Sequence, residues 1–331
     1  MIWRGMVIRM IPKQPYSIYI ASCDKNGGIY RYLINKHGKL AFAEKTDLDR
    51  PMYLAVENNK MYVLLRQPFE NSNESGLVTF DIDEYGNLIN SSEILTTHGI
   101  VACHLAVENG QVYCVNYLSG NVVKMPDKVV THMGKSIHPS RQAEPHAHYI
   151  CAAPDGYILV VDLGMDKIIT YSKNLDQVYE VSVPKGHGAR HLIFSKDNRY
   201  VFCANELKSS VSAFLYDGGR LEIMNTYSTL PAGFCGDSAA AAIRISDDGK
   251  YLYVSNRGHN SIACFEIVKG ELMSIAIESC KGDSPRDFNI IGDYLISANE
   301  NSNTVTVFKM ENGKMRDMAD EIKLDKALCV V

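Results

Sequence analysis

From Ser17 onward the chain reads as short runs of Val, Ile, Leu, Tyr and Phe, either alternating with polar residues or continuous. Turn formers such as Pro154-Asp155-Gly156, Gly218-Gly219 and Asp247-Asp248-Gly249 punctuate them. β-Branched and aromatic residues dominate the runs and no long 3.6-residue apolar period appears. The pattern therefore predicts short strands joined by tight turns, an antiparallel meander.

The runs also repeat as a group. Three segments align clearly: ARHLIFSKDNRYVFCANELKSSVSAFLYDGGRL from Ala189, AAIRISDDGKYLYVSNRGHNSIACFEIVKGEL from Ala241 and PRDFNIIGDYLISANENSNTVTVFKMENGKM from Pro285. Tyr200, Tyr251 and Tyr294 mark the same point in each, at a spacing within the range of about 20 to 50 residues that signals a repeat architecture. Fainter copies begin at Pro51, Ala102 and His146. A seventh is split: SIYIASCDKNGGIYRYLINKHGKLAFAEKT supplies three strands, and Ala327-Leu328-Cys329-Val330-Val331 at the C-terminus resembles the missing first strand.

One small sheet cannot bury both of its faces, so like sheets stack radially around an axis. The expected fold is all-β: a seven-bladed β-propeller of four-stranded antiparallel blades over residues 15–331, one domain closed by pairing of the C-terminal strand with the N-terminal three. Residues 1–14 match no part of the unit and are read as an outer strand, a disordered tail or the product of an upstream start.

Composition narrows the class of function. With 46% hydrophobic residues there is apolar material for a large core, and a formal net charge of -4 gives no sequence-wide basic field. Nucleic acid and membrane are thus not expected partners. No stretch approaches the about 18 apolar residues of a membrane-spanning helix, and MIWRGMVIRMIP lacks the apolar run of a signal peptide. Nine cysteines, an odd number with no Cys-x-x-Cys pair, suit a reducing cytoplasm. The expected partner is a small molecule, and the expected state a monomer or weak dimer.

Antiparallel geometry locates the chemistry. Each blade's first strand begins, and its second ends, on one rim close to the axis, so residues at those positions converge on one mouth. The start positions carry His148, Arg190 and Arg286; the end positions carry Asn116-Tyr117, Asp162-Leu163, Asn205-Glu206, Asn256-Arg257 and Asn299-Glu300. Arginine forks suit phosphate or carboxylate, and Glu and His are common bases at neutral pH. Each residue also has a plainer reading. The asparagines can fix turns through backbone bonds, Glu206 and Glu300 can tie blades through Arg257 and Arg286, and His148 can be a packed histidine. His146-Ala147-His148 after Pro145 marks an unusual loop. His104, Tyr117 and Asp162 hold equivalent rim positions with a weaker claim. His146, His148, His187 and His191 would be the zinc set, but close-spaced zinc motifs are absent and no metal or cofactor is expected. No Gly-x-Ser-x-Gly elbow, phosphate loop or dinucleotide fingerprint is present.

Long motifs in order at blade spacing, EPHAHYI at 144–150, HGARHLIFSKDNRYVFCANEL at 187–207, AAIRISDDGKYLYVSNRGHNSIACFEI at 241–267 and SPRDFNIIGDYLISANENSNTVTVF at 284–308, carry a resemblance. The chain resembles the seven-bladed β-propeller lactonase family, typified by the bacterial cycloisomerase-like 6-phosphogluconolactonase and related to the fungal carboxy-muconate lactonising enzyme. The resemblance implies a catalytic cluster of His148, Arg190, Glu206 and Arg257, all retained in type. It implies hydrolysis of a sugar lactone, 6-phosphogluconolactone first, in the pentose phosphate pathway. Glu206 or His148 would deprotonate the water, Arg190 and Arg257 would stabilise the oxyanion, and Arg286, Glu300, Asn205, Asn256, Asn299 and His146 would bind substrate. A muconate-type cycloisomerase and a non-catalytic protein-binding propeller are the alternatives.

Overall fold

The apolar runs are strands whose two faces both need cover, and the fold supplies it by stacking. In the computed structural model, which describes residues 16–331, they form seven antiparallel sheets, six of four strands and one of five. The expectation for residues 1–14 lies outside the described residues. The innermost strands of blades one to six are Pro51–Glu57, Ala102–Glu108, Ala147–Ala152, Ala189–Phe194, Ala239–Ile245 and Pro285–Ile291. In blade seven the innermost strand is Ala327–Val330, paired antiparallel with Tyr16–Ser22. The split copy therefore closes the ring as expected. Tyr19 and Val331 exchange backbone bonds at 2.8 and 3.0 Å, and Cys23 N–H donates to Lys326 O at 2.9 Å.

The core is divided among the blade junctions. Phe202, Val211 and Ala213 of blade four pack on Ile243, Val254 and Phe265 of blade five; Ile296 and Val305 of blade six pack on Ile18 and Ile20 of blade seven. Second strands such as Tyr200–Asn205 and Tyr294–Asn299 are buried almost throughout, which explains their continuous apolar sequence, while outer strands such as Arg220–Ser228 are largely exposed. Blade one departs from the pattern: its outer edge is two short strands, Leu88–Ile89 and Leu95–Thr96, both paired with Gly76–Ile82. No helix among the described residues is long and apolar enough to cross a membrane.

Candidate active site

Successive side chains of a regular strand point to opposite faces. At the head of every innermost strand that rule is broken. Met52, Cys103, His148, Arg190, Arg286 and Leu328 are extra residues in the pairing register, and blade five shifts in the same way between Ala240 and Ile243. Such a β-bulge re-aims the chain, so consecutive residues both face the axis. Arg190 with His191, and Arg286 with Asp287, line one small void together. The bulge residues thus form the floor of the mouth, and the residues just past the second strands form its wall. Gly188 fixes one join between floor and wall. Its φ of +68° and the 2.5 Å approach of Leu207 to a built Cβ exclude a larger residue. Its carbonyl accepts the Glu206 N–H at 2.7 Å, setting Glu206 beside Arg190.

Above the floor lies a cleft of about 320 Å³, at the small end of the range for small-molecule sites. Arg66, Tyr117, Arg141, His148, Glu206, Arg257 and Arg286 line it, with Val101, Cys103 and Leu118 as an apolar wall. Glu206 is its hub. Oε2 accepts from Arg190 Nε at 2.9 Å and pairs with Arg257 Nη2 at 2.8 Å, and Oε1 accepts from Arg141 Nη2 at 2.5 Å. Burial pushes the Glu206 carboxyl up, but Arg257, Arg190 and Arg141 together outweigh it and hold the group well below the usual carboxylate range. Burial, then the charge of Arg257, lowers Arg190 to about 9, which leaves it charged at neutral pH.

His148 behaves differently. Burial, then the Arg190 charge, lowers it well below the usual imidazole range, so it is neutral at pH 7. Its Nδ1 is buried without a partner, as is Arg257 Nε. Tyr117 stands edge-on to the ring with centroids 5.5 Å apart. Burial raises the Cys103 thiol to about 12, so it is no thiolate nucleophile at neutral pH. Chemically, the cleft offers guanidinium groups in excess over carboxylate, and one neutral imidazole able to take a proton.

Of the residues expected from sequence, His148, Glu206, Arg257 and Arg286 line the cleft, and Arg190 lies under it. Glu300 stands at its edge, 3.4 Å from Arg286 Nη1. Four assignments need correction. Asn205, Asn256 and Asn299 are fully buried and do not line the cleft. Their amides donate to Ser210 and Ser212, to Thr229 O and Ser261, and to Thr304 and Thr306, so they hold the chain turn between second and third strands. His146 stacks on Tyr117 at 4.3 Å, its Nδ1 3.0 Å from Tyr117 O, and backs the wall rather than meeting the cleft. The four histidines weighed as a zinc set are not gathered: among the described residues no three His, Cys, Asp or Glu side chains stand close enough to hold a metal.

Of the weaker rim positions, Tyr117 lines the cleft, His104 packs between Tyr53 and Tyr149 with its ring tilted to both, and Asp162 is spent on His132 Nδ1 at 2.6 Å. Two arginines were missed. Arg66 follows the second strand of blade one, the repeat position of Glu206 and Arg257, and was legible from the alignment. Arg141 sits in the connection between blades two and three, where the repeat gives no register. That connection is built firmly: buried Gln142 donates to Leu163 O at 2.9 Å, and Arg141 N–H contacts His138 Nδ1 at 3.2 Å.

Comparison with known proteins adds the following. A family model for a seven-bladed β-propeller lactonase matches residues 17–331. An uncharacterised protein of Staphylococcus epidermidis is 31% identical over 342 aligned residues, covering 95% of this chain and 98% of that protein. Among solved structures, a protein of Lactobacillus plantarum is 28% identical with a TM-score of 0.88, over 96% of this chain and 99% of its own. A candidate 6-phosphogluconolactonase of Bacteroides uniformis is also 28% identical, with a TM-score of 0.87 over the same shares of 96% and 99%.

Proposed function

The chain belongs to the seven-bladed β-propeller lactonase family, and on that premise we propose that it hydrolyses an anionic sugar lactone, 6-phosphogluconolactone first, to the open-chain acid. The observation that carries this reading is the pairing, in one cleft, of a neutral buried imidazole with the guanidinium groups of Arg66, Arg141, Arg257 and Arg286. An uncharged lactone does not call for so much positive charge; a phosphate or carboxylate tail does.

Ring opening needs a base, an oxyanion site and a leaving-group proton. His148 takes a proton from a water as it attacks the lactone carbonyl. Arg257, with an unpartnered Nε and a position on the cleft, stabilises the oxyanion that forms. The ring C–O bond then breaks, and His148 returns its proton to the departing ring oxygen. Glu206 has both oxygens engaged by Arg190, Arg257 and Arg141 and serves as their counter-charge. Arg190 holds Glu206 from below, and Arg66, Arg141 and Arg286 grip the anionic tail. In the cytoplasm this reaction would serve the pentose phosphate pathway.

The test is a direct assay with freshly generated 6-phosphogluconolactone, corrected for spontaneous opening, beside gluconolactone and a muconate-type dicarboxylate. Faster opening of the phosphorylated lactone supports the reading. Turnover of the dicarboxylate alone would transfer the site to lactonisation, with the same arginines on carboxylates.

A further inference from the structure

Beneath the cleft floor the axis holds buried polar groups that the ring-opening scheme does not use. A void of about 20 Å³ there is lined by Tyr53, His148, Arg190, His191, Arg286 and Asp287, among others. One water needs about 10–15 Å³ and two to four polar partners, and this void meets both conditions.

The tautomer of His191 follows from its neighbour. Arginine has donors only, so the 3.1 Å contact between Arg190 Nη1 and His191 Nε2 makes Nε2 the acceptor. Burial, then the charge of Arg190, lowers His191 well below the usual imidazole range; the ring is neutral and its one proton sits on Nδ1. That N–H is buried with no partner, and so is His148 Nδ1. The two rings meet edge to face at 5.3 Å. A buried polar nitrogen left without a partner is destabilising, and both residues line the same water-sized space.

We propose that His191 is a positioning residue for His148: one water in this void accepts from His191 Nδ1–H and from His148 Nδ1–H, leaving the lone pair of His148 Nε2 to face the cleft. The water's own protons have an acceptor in the Asp287 carboxylate, which lines the void while holding Arg244 at 2.7 Å and Val330 N–H at 3.1 Å. Arg190, Arg286 and Glu206 face His148, and Tyr117 packs on its edge. Arg190, Arg244, His104 and Tyr149 surround His191. Burial first and the arginine charge second keep both rings neutral, so the network selects a tautomer and not a protonation state. The catalytic consequence rests on the reading of His148 as the base; the tautomer does not.

The experiment is ¹⁵N NMR of the histidine-labelled protein at pH 7, with His148 assigned by its loss in His148→Asn, together with steady-state kinetics on the lactone. In the unaltered chain His148 should show a protonated Nδ1 and an unprotonated Nε2. His191→Phe removes both ring nitrogens. His191→Gln keeps an acceptor for Arg190 and loses the Nδ1 donor, which guards against a variant that fails to fold. Both should shift His148 toward Nε2–H and lower kcat on the order of 10²-fold with KM nearly unchanged. His191→Asn, whose amide N–H stands near the position of Nδ1–H, should restore the tautomer. An Nε2–H form in the unaltered protein, or a tautomer indifferent to all three substitutions, overturns the proposal. A tautomer shift without loss of kcat leaves the water-linked pair standing and removes His148 as the base.

Discussion

Glu206 and Asp287 are both buried acids facing the axis, 4% and 3% exposed, yet they are compensated in opposite ways. Glu206 stands at the mouth with three guanidinium groups for one carboxylate. Asp287 lies deeper with one, Arg244, and gives its second oxygen to the backbone of the closing strand through Val330 N–H. The balanced acid is a rivet of the ring. The outnumbered one leaves uncompensated positive charge beside an open cleft, and that imbalance is what an anionic substrate would satisfy. Equal burial therefore does not imply equal purpose; the count of opposing charges separates a structural acid from a functional one.

The strongest way to break this contrast is to remove what Asp287 holds. Deleting residues 327–331 takes away Ala327, Leu328, Cys329 and Val330, all buried. At roughly 1.5–3 kcal/mol for each large apolar side chain, Leu328 and Val330 alone reach the lower end of the about 5–15 kcal/mol usual for a domain. Thermal melting should show a sharp fall or no cooperative transition; an unchanged melt would show that the ring does not depend on its closing strand. Asp287→Ala should cost about 3–5 kcal/mol in urea unfolding, since it strands the Arg244 charge. Adding Arg244→Met should recover much of that loss. Glu206→Gln is expected to add a functional loss to a structural one: turnover falls because Arg257 is no longer held in place, and stability drops as well, because Arg190, 3% exposed, loses its counter-charge. Inorganic phosphate should bind that variant more tightly, read as stronger inhibition or a larger thermal shift. Weaker binding would mean that the guanidinium groups do not serve as an anion grip.

The ring was legible in the sequence because each blade restates the same strand and turn order, and the split copy named its own closure. Repetition also explains the misreading of the asparagines. A residue type recurring at one position in blade after blade, as Asn116, Asn205, Asn256 and Asn299 do, answers a need common to every blade, here the turn after the second strand. The very next residue varies, as Arg66, Tyr117, Leu163, Glu206, Arg257 and Glu300, and the variation is where function lies. The bulges were not legible, because an inserted residue shifts pairing without changing composition. Nothing in the sequence showed that neighbours such as Arg190 and His191 both face the axis, so His191 was not placed beneath the site. Arg141 lies in an inter-blade connection, outside any register.

Acid titration sharpens the comparison from the side of the bases. His104, His148 and His191 are all held neutral, by burial first and by arginine charges second. Their folded pKa values lie below the unfolded value of about 6.5, so below that pH the unfolded chain binds protons that the folded one refuses. Stability should fall on acidification through this window, with a slope of up to about 1.4 kcal/mol per pH unit for each histidine. His104→Phe should flatten the slope by one proton, measured by urea unfolding across a pH series. A slope unaltered by that substitution would mean that His104 titrates normally in the fold. Glu206, with its lowered pKa, loses its own contribution only at lower pH, below the usual carboxylate range.

Asp162 extends the series to an acid with no guanidinium partner. It occupies the turn position that asparagine holds in blades two, four, five and six, and accepts from His146 N–H at 2.9 Å and Met165 N–H at 3.0 Å through Oδ1. Its other oxygen contacts His132 Nδ1, whose Nε2 lies 2.9 Å from the Tyr171 hydroxyl. In Asp162→Asn the amide oxygen can keep both backbone bonds. The amide N–H can then meet a His132 turned to its other tautomer, with Nε2–H donating to Tyr171. The expected cost is therefore only about 1 kcal/mol, the scale of one exchanged hydrogen bond, with lactone turnover hardly moved. A loss as large as that of Asp287→Ala would show that the Asp162–His132–Tyr171 chain of contacts holds the blade together, rather than Asp162 merely fixing a turn.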